Sequence, residues 1–324
     1  MSDGDGLICA YALDGAGGGR PLTWDAIEAW EPSAGVLWVH LDRTGEKART
    51  WLEQSSGIDP VIQSVLLMEE VRPRSLQSED ALLVILRGVN LNPGAEPEDM
   101  VGVRLWIEPQ RIITVRHRRL MAVNDIREKL DSGHGPSAPG DFLVQIADRL
   151  IDRMGPVLSD LDDSVDQLED EVLTAESAQL RTRLSGLRRE AITLRRYLAP
   201  QRDVMARLQM EQVSWLDAAE RVKLREIADR ITRYVEDLDS ARERAAVTQD
   251  ELNSRLSDQM NRTMYLLTVV AAVLLPPSLL TGLLGINVGG LPGVESPWAF
   301  YLVLALIMLM APLEIWVLRR LRWI

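Results

Sequence analysis

Thr268 and Ser278 place hydroxyls in a stretch otherwise suited to hydrocarbon. Thr263 to Val294 holds no Asp, Glu, Lys or Arg, yet Met264, Thr268, Ala271, Leu275, Ser278, Gly282 and Gly285 recur there at a period of 3.5. That spacing keeps one face of a helix turned toward copies of itself. The same register continues backward through Asn261, Ser257 and Ser254 to Asp250. Polar groups facing lipid go unsatisfied, so the stripe must face a helix bundle or a water-filled path. Close packing is the competing reading, because small residues let membrane helices approach and Gly285 with Gly289 forms a GxxxG. The continuation as Asn261, Ser257 and Asp250 favours the path, since a packing seam outside lipid would turn apolar. Two hydrophobic helices cannot enclose such a path alone. It requires a homo-oligomer in which the first span of each chain lines the centre. Pro276 and Pro277 would free backbone carbonyls beside Ser278, a polarity useful next to a pore.

A second constellation is acidic. Asp160, Asp162, Asp163, Asp166, Glu169, Asp170 and Glu171 crowd one helical stretch. A solvated helix face is the plain reading; a surface that gathers divalent cations by hard carboxylate oxygens is the sharper one, with Asp160, Asp162, Asp163 and Asp166 as its members. A tight zinc cage would want paired His and Cys. The chain offers only Cys9, His40, His117 and His134, without paired spacing, and each histidine is read as a core or surface residue. No GxxxxGK[ST] phosphate loop occurs, and Gly15 to Gly19 reads as a surface turn. Glu314 is read as snorkelling toward Arg319 and Arg320, with proton sensing as the alternative. No nucleotide, metal or other cofactor is expected to be resident, and no enzymatic chemistry.

These groups need elements to hold them. The 324 residues carry a net charge of −12, the wrong sign for a nucleic-acid partner, and a single cysteine excludes an intrachain disulfide. Met264 to Leu284 and Trp298 to Leu318 each suffice for a bilayer, which takes about 20 apolar residues per helix. Arg255 and Arg262 precede the first span and Arg319, Arg320 and Arg322 follow the second, which places both termini in the cytoplasm by the positive-inside rule. The spans and tail carry two Glu and three Arg, so residues 1–262 hold −13. The soluble part is expected to be an acidic cytoplasmic domain.

In residues 1–140, apolar and β-branched runs predict strands at Leu7 to Leu13, Gly35 to Leu41, Ala81 to Val89, Val101 to Ile107 and Arg111 to Arg116. Helical spacing appears at Trp24 to Trp30, Glu46 to Gln54, Pro60 to Val71 and Arg118 to Leu130. Short turns between the later strands predict antiparallel hairpins, hence an α+β domain with a mixed or antiparallel sheet. The Gly/Pro-rich loop Ser132 to Gly140 is the expected boundary. Residues 141–216 read as an acidic helical region, with Leu143, Ile146, Leu150, Val157, Leu161, Val165, Leu168 and Val172 on one apolar face. A break at Ser214 to Asp217, with Asp217 as cap, starts a stalk helix over 217–284 that enters the membrane, on the order of 100 Å at 1.5 Å per residue. The loop 285–297, the second span 298–318 and a basic tail 319–324 complete the chain.

The segment Thr281-Gly-Leu-Leu-Gly285-Ile286-Asn287-Val-Gly-Gly-Leu-Pro-Gly293 resembles the end of the first membrane helix in the CorA-type metal ion transporters. Gly-Ile-Asn in place of Gly-Met-Asn, and the stretch Arg196-Tyr-Leu-Ala-Pro-Gln-Arg-Asp-Val204, resemble the ZntB zinc-transporter branch. The order of parts fits over the whole length. The resemblance implies a funnel-shaped homopentamer in a bacterial inner membrane, with five first spans around a pore and five second spans outside. It makes Asn287 the ring at the outer mouth, an amide acceptor for the water shell of a passing divalent cation, with Gly285 turning the backbone and Ile286 beside it. Glu295, in the outer loop but outside the motif, has two readings, a charge that concentrates cations and one that only solubilises the loop. Transported Zn2+, with H+ as coupling ion, is the implied chemistry. Mg2+, Co2+ or Ni2+ transport is the alternative within the family, and a membrane-tethered scaffold the alternative outside it.

Overall fold

The computed structural model describes residues 4–174, 178–286, 293 and 296–320. The chain folds as two compact units, Met1–Gln249 and Asp250–Ile324.

The first unit is built on a seven-stranded sheet. The strands are β1 (Leu7–Leu13), β2 (Gly19–Pro21), β3 (Leu37–Asp42), β4 (Arg74–Ser78), β5 (Ala81–Gly88), β6 (Val101–Glu108) and β7 (Arg111–Arg116), in the spatial order β2-β1-β3-β7-β6-β5-β4. All neighbours pair antiparallel except β3 and β7, which run parallel with Leu37 opposite Arg111. The sheet is therefore mixed, as expected.

Helices cover both faces, so the central strands read as nearly unbroken apolar runs. On one face Leu37, Val39, Leu41, Leu83, Ile85, Ile113 and Val115 pack with Trp24 and Ile27 of α1 (Trp24–Glu28), Trp51 and Leu52 of α2 (Glu46–Gln54) and Ile62 and Leu66 of α3 (Pro60–Leu67). On the other, Trp38 stacks with Tyr11 and meets Phe142 of α5 (Pro139–Asp152), ring centroids 5.0 Å apart, behind α4 (Met121–Asp131). His40 lies wholly buried on this face, its Nδ1 2.8 Å from the Thr114 hydroxyl.

Two strands are absent from the sequence expectation. β2 is three residues of a glycine-rich turn, and β4, Arg-Ser-Leu-Gln-Ser, is an edge strand whose side chains are mostly in solvent. Neither carries the apolar alternation that marks a half-buried strand. The helix expected over 60–71 stops at Leu67, because Met68 is extended at ψ 145° and the carbonyls of Met68 and Glu69 turn to the Arg104 guanidinium. Gly15 to Gly19 forms the turn into β2, held by Asp14, whose carboxylate accepts from the amides of Ala16 and Gly18.

The remaining helices are α6 (Met154–Thr174), α7 (Ala178–Leu208), α8 (Ala218–Gly285) and α9 (Ala299–Arg320). All eight residues of the predicted apolar face, from Leu143 to Val172, are buried. Asp217 caps α8 as a reciprocal box: its carboxylate accepts from the Glu220 amide at 2.7 Å, and Glu220 accepts from the Asp217 amide at 2.8 Å. α8 then runs 68 residues through Pro276 and Pro277 without a break.

Candidate metal ion pathway

The C-terminal part of α8 and all of α9 are long and apolar enough to cross a membrane. In α8 the half-covered positions are Val269, Ala272, Val273, Pro276, Pro277 and Leu280. Met264, Thr268, Ala271, Leu275, Ser278 and Gly282 are all exposed, and at 100° per residue their centre lies roughly 150° around the helix from that covered face. The polar stripe is thus the side that a single chain leaves uncovered. It continues, exposed, through Asn261, Ser257 and Ser254 to Asp250, and upward to Gly285 and Ile286.

Hydrogen bonding refines what the stripe offers. The Thr268 hydroxyl donates to the Met264 carbonyl at 2.8 Å, and Ser257 donates to Asn253 at 2.9 Å. These protons are satisfied within the helix, so lipid exposure would cost less than spacing alone suggests. The oxygens keep their lone pairs outward, which is the polarity that the water shell of a cation needs. Pro276 and Pro277 free the carbonyls of Ala272 and Val273, which belong to the half-covered side rather than to the stripe. The expectation that they add polarity beside Ser278 is corrected by the four-residue offset of helical hydrogen bonds. Asn287 and Glu295 lie outside the described residues.

In α9 the half-covered positions Val303, Ile307, Met310, Ala311, Glu314 and Leu318 form one helical face. Glu314 does not snorkel to the arginines: no ion pair joins it to Arg319 or Arg320, and its Oε2 is buried with no hydrogen-bond partner among the described residues. Arg320 lies instead over the Trp316 ring, 5.6 Å from its centroid. Snorkelling fails because position 314 falls on the covered face.

The acidic run lies on α6, and Asp160, Asp162, Asp163 and Asp166 are all exposed. Part of its charge is matched from α8, where Arg244 pairs with Asp162 at 2.9 Å, with Asp166, and with Glu169 at 2.9 Å. Glu171 pairs with Arg183 of α7. Among the described residues no group of three His, Cys, Asp or Glu is arranged to hold a metal ion.

The stretch Arg196 to Val204 turns out to dock α7 on the sheet. Arg87 of β5 lies over the Tyr197 ring, 4.2 Å from its centroid, and the buried Gln201 accepts from the Arg87 amide at 2.7 Å. That amide stands past the end of the β4 pairing, so Gln201 satisfies a donor the edge strand does not reach.

The family model described as CorA-like Mg2+ transporter protein matches residues 33–320. The chain belongs to this family. The divalent cation transporter CmaX of Pseudomonas aeruginosa is 43% identical over 330 residues, covering 99% of this chain and 98% of that protein. The zinc transport protein ZntB of Pectobacterium carotovorum is 36% identical over 320 residues, with 98% and 96% covered. The full-length CmaX structure superposes with a TM-score of 0.87 at 42% identity over 100% of both chains. The CorA magnesium transporter of Methanocaldococcus jannaschii shares the fold, with a TM-score of 0.82 at 20% identity over 98% of each chain. The family is one of transporters, not enzymes, and the sheet-bearing N-terminal unit, long helices and two apolar C-terminal helices are its architecture.

Proposed function

We propose that this protein carries divalent cations, zinc foremost, into the cytoplasm through the centre of a homopentamer in a bacterial inner membrane. The observation that carries the reading is the exposed stripe Asn261, Met264, Thr268, Ala271, Leu275, Ser278 and Gly282, set opposite the covered face of α8. Copies of that face around a common axis enclose a path that one chain cannot. Gly285 and Ile286 end the helix, and five Asn287 amides ring the outer mouth, where they accept hydrogen bonds from a hydrated cation without the tight capture of a carboxylate ring. Glu295 gathers cations outside, and Asp160, Asp162, Asp163 and Asp166 draw them through the cytoplasmic side. Both termini are cytoplasmic. The domain boundaries at 140, 216, 284, 297 and 318 belong to the same proposal.

A divalent cation entering across about 100 mV, negative inside, gains roughly 4.6 kcal/mol, so uptake needs no ATP. Proton coupling is the finer part of the proposal, and Glu314 supports it as a span carboxylate with one oxygen buried and unpartnered among the described residues. Purified protein in liposomes, read with a zinc-sensitive and then a magnesium-sensitive dye, tests the function. Zinc flux should exceed magnesium flux and should fall at least tenfold in Asn287→Ala at equal oligomer yield. Magnesium flux alone would transfer the proposal to the other cations of the family, and no flux of either would end it. In the same liposomes an imposed inward proton gradient should accelerate zinc entry, and Glu314→Gln should remove that acceleration. Equal acceleration in the variant would exclude Glu314 as the coupling site.

A further inference from the structure

Arg104 is a charged residue inside the core with no carboxylate to balance it. It stands on β6 between apolar neighbours, is 2% exposed, and forms no ion pair among the described residues. Its Nη2 donates to the carbonyls of Met68 and Glu69, at 2.7 and 2.8 Å, while Nε is buried with no partner among the described residues. The nearest charges are unfavourable. Burial, then Arg43, then Arg87, push its pKa down to about 10. A buried guanidinium held only by neutral carbonyls is costly, and the group that would relieve the cost is an anion.

The strands around it leave room for one. Arg87 pairs across the ladder with Gly102, two residues before Arg104, so Arg87, Gly102 and Arg104 share a sheet face. Arg87 too lacks a carboxylate partner among the described residues: it donates to the carbonyls of Val71 and Met100. A Cβ on Gly102 would stand 3.8 Å from Arg104 Nη1 and 3.9 Å from Arg87 Cγ, so the missing side chain is what opens the space beside both cations. A cavity of about 220 Å³ occupies this place, with His117 and Arg118 from the end of β7 also in its wall. That volume is below the roughly 300–1,000 Å³ of drug-sized sites and suits a small ion. The wall also holds Glu69, Glu70, Glu98 and Asp99, of which Glu69 is paired with Arg43 at 3.4 Å. These carboxylates, four against the three arginines of the wall, repel an anion and set a ceiling on its affinity.

We infer that the cavity over Gly102, between the guanidinium groups of Arg87 and Arg104, is a binding site for a small tetrahedral oxyanion of the phosphate class. Nη1 of Arg104 and the free edge of Arg87 supply charge-assisted donors from the sheet, and Arg118 adds one from the rim. The site lies wholly within the first unit.

Equilibrium dialysis of the full-length, detergent-solubilised protein against radiolabelled inorganic phosphate, in metal-free buffer, tests it. Saturable binding of one ion per chain is expected. Gly102→Leu, which fills the space and keeps every charge, and Arg104→Met should each weaken it by about tenfold or more, the size of a lost charge-assisted contact. Glu70→Gln should tighten it at low salt and less so at high salt, because the removed repulsion is screened. Should Arg104→Met fail to fold by circular dichroism, Gly102→Leu and the rim variant Arg118→Gln carry the comparison. Absence of saturable binding at millimolar phosphate, or binding unchanged in Gly102→Leu, would overturn the assignment.

Discussion

Glu190 of α7 is a carboxylate placed where ionisation is resisted. Burial first, and then Glu98 and Glu96 on the loop between β5 and β6, raise its pKa to about 7. Arg183 is the basic group sharing its cleft, and it is already engaged by Glu171. A carboxylate raised in the fold contributes stability at pH below its unfolded value and loses that contribution as pH climbs through about 7. Glu190→Gln should therefore raise the melting temperature at pH 8 and leave it nearly unchanged at pH 4, below the unfolded value of 4.5; an equal shift at both would show that the effect is packing rather than charge. His40 has the opposite sign. Burial, with Arg116 and Arg127 nearby, pushes it down to about 3, so its contribution is full above the unfolded value of about 6.5 and falls as acid is added. Residues of this kind are only partly legible in a sequence. A lone histidine among apolar neighbours reads as core, and His40 is core. Arg104, by contrast, sits in Val-Gly-Val-Arg-Leu-Trp-Ile, where alternation puts it on a sheet face but says nothing of whether a helix covers that face.

At the scale of elements, the longest helix is the most legible because its signals agree: no Gly or Pro for dozens of residues, a capping Asp217, and a stop at Gly285. The reciprocal hydrogen bonds of Asp217 and Glu220 secure the start of α8, so Asp217→Ala should destabilise the protein by about 1 kcal/mol, within the usual range for a lost cap. Urea unfolding followed by far-ultraviolet circular dichroism measures this, and a midpoint unchanged from the parent protein would deny the cap its role. Close packing reinforces it, since any Cβ at Gly140 of α5 would collide with the Glu220 carboxylate. The parallel pairing of β3 with β7 has no local signature, because its register is set by residues some seventy positions apart. The same is true of Gln201 and Arg87, whose contact only the folded sheet creates.

For the whole molecule, the composition and charge pattern are enough to separate an acidic region from two apolar spans, and the full-length CmaX structure shares the architecture of a sheet-bearing N-terminal unit, long helices and two apolar C-terminal helices. What a single sequence reads less well is the allocation of polarity. Arg244 crosses from α8 to neutralise part of the α6 acidic face, and Glu314 is turned onto a covered helix face rather than toward the terminal arginines. Both depend on which faces meet, and that is a property of packing rather than of spacing. The central claim is that the stripe on α8 lines the path of the ion. Replacing buried Cys9 gives a thiol-free background in which single cysteines at Thr268, Ser278 and Leu266 can be compared in liposome-reconstituted protein by their rates of reaction with a charged methanethiosulfonate. Cysteines at positions 268 and 278 should react quickly, lose flux on reaction and be protected by zinc, while the one at 266 reacts far more slowly; equal rates at all three, or reaction at 266 alone, would contradict the account.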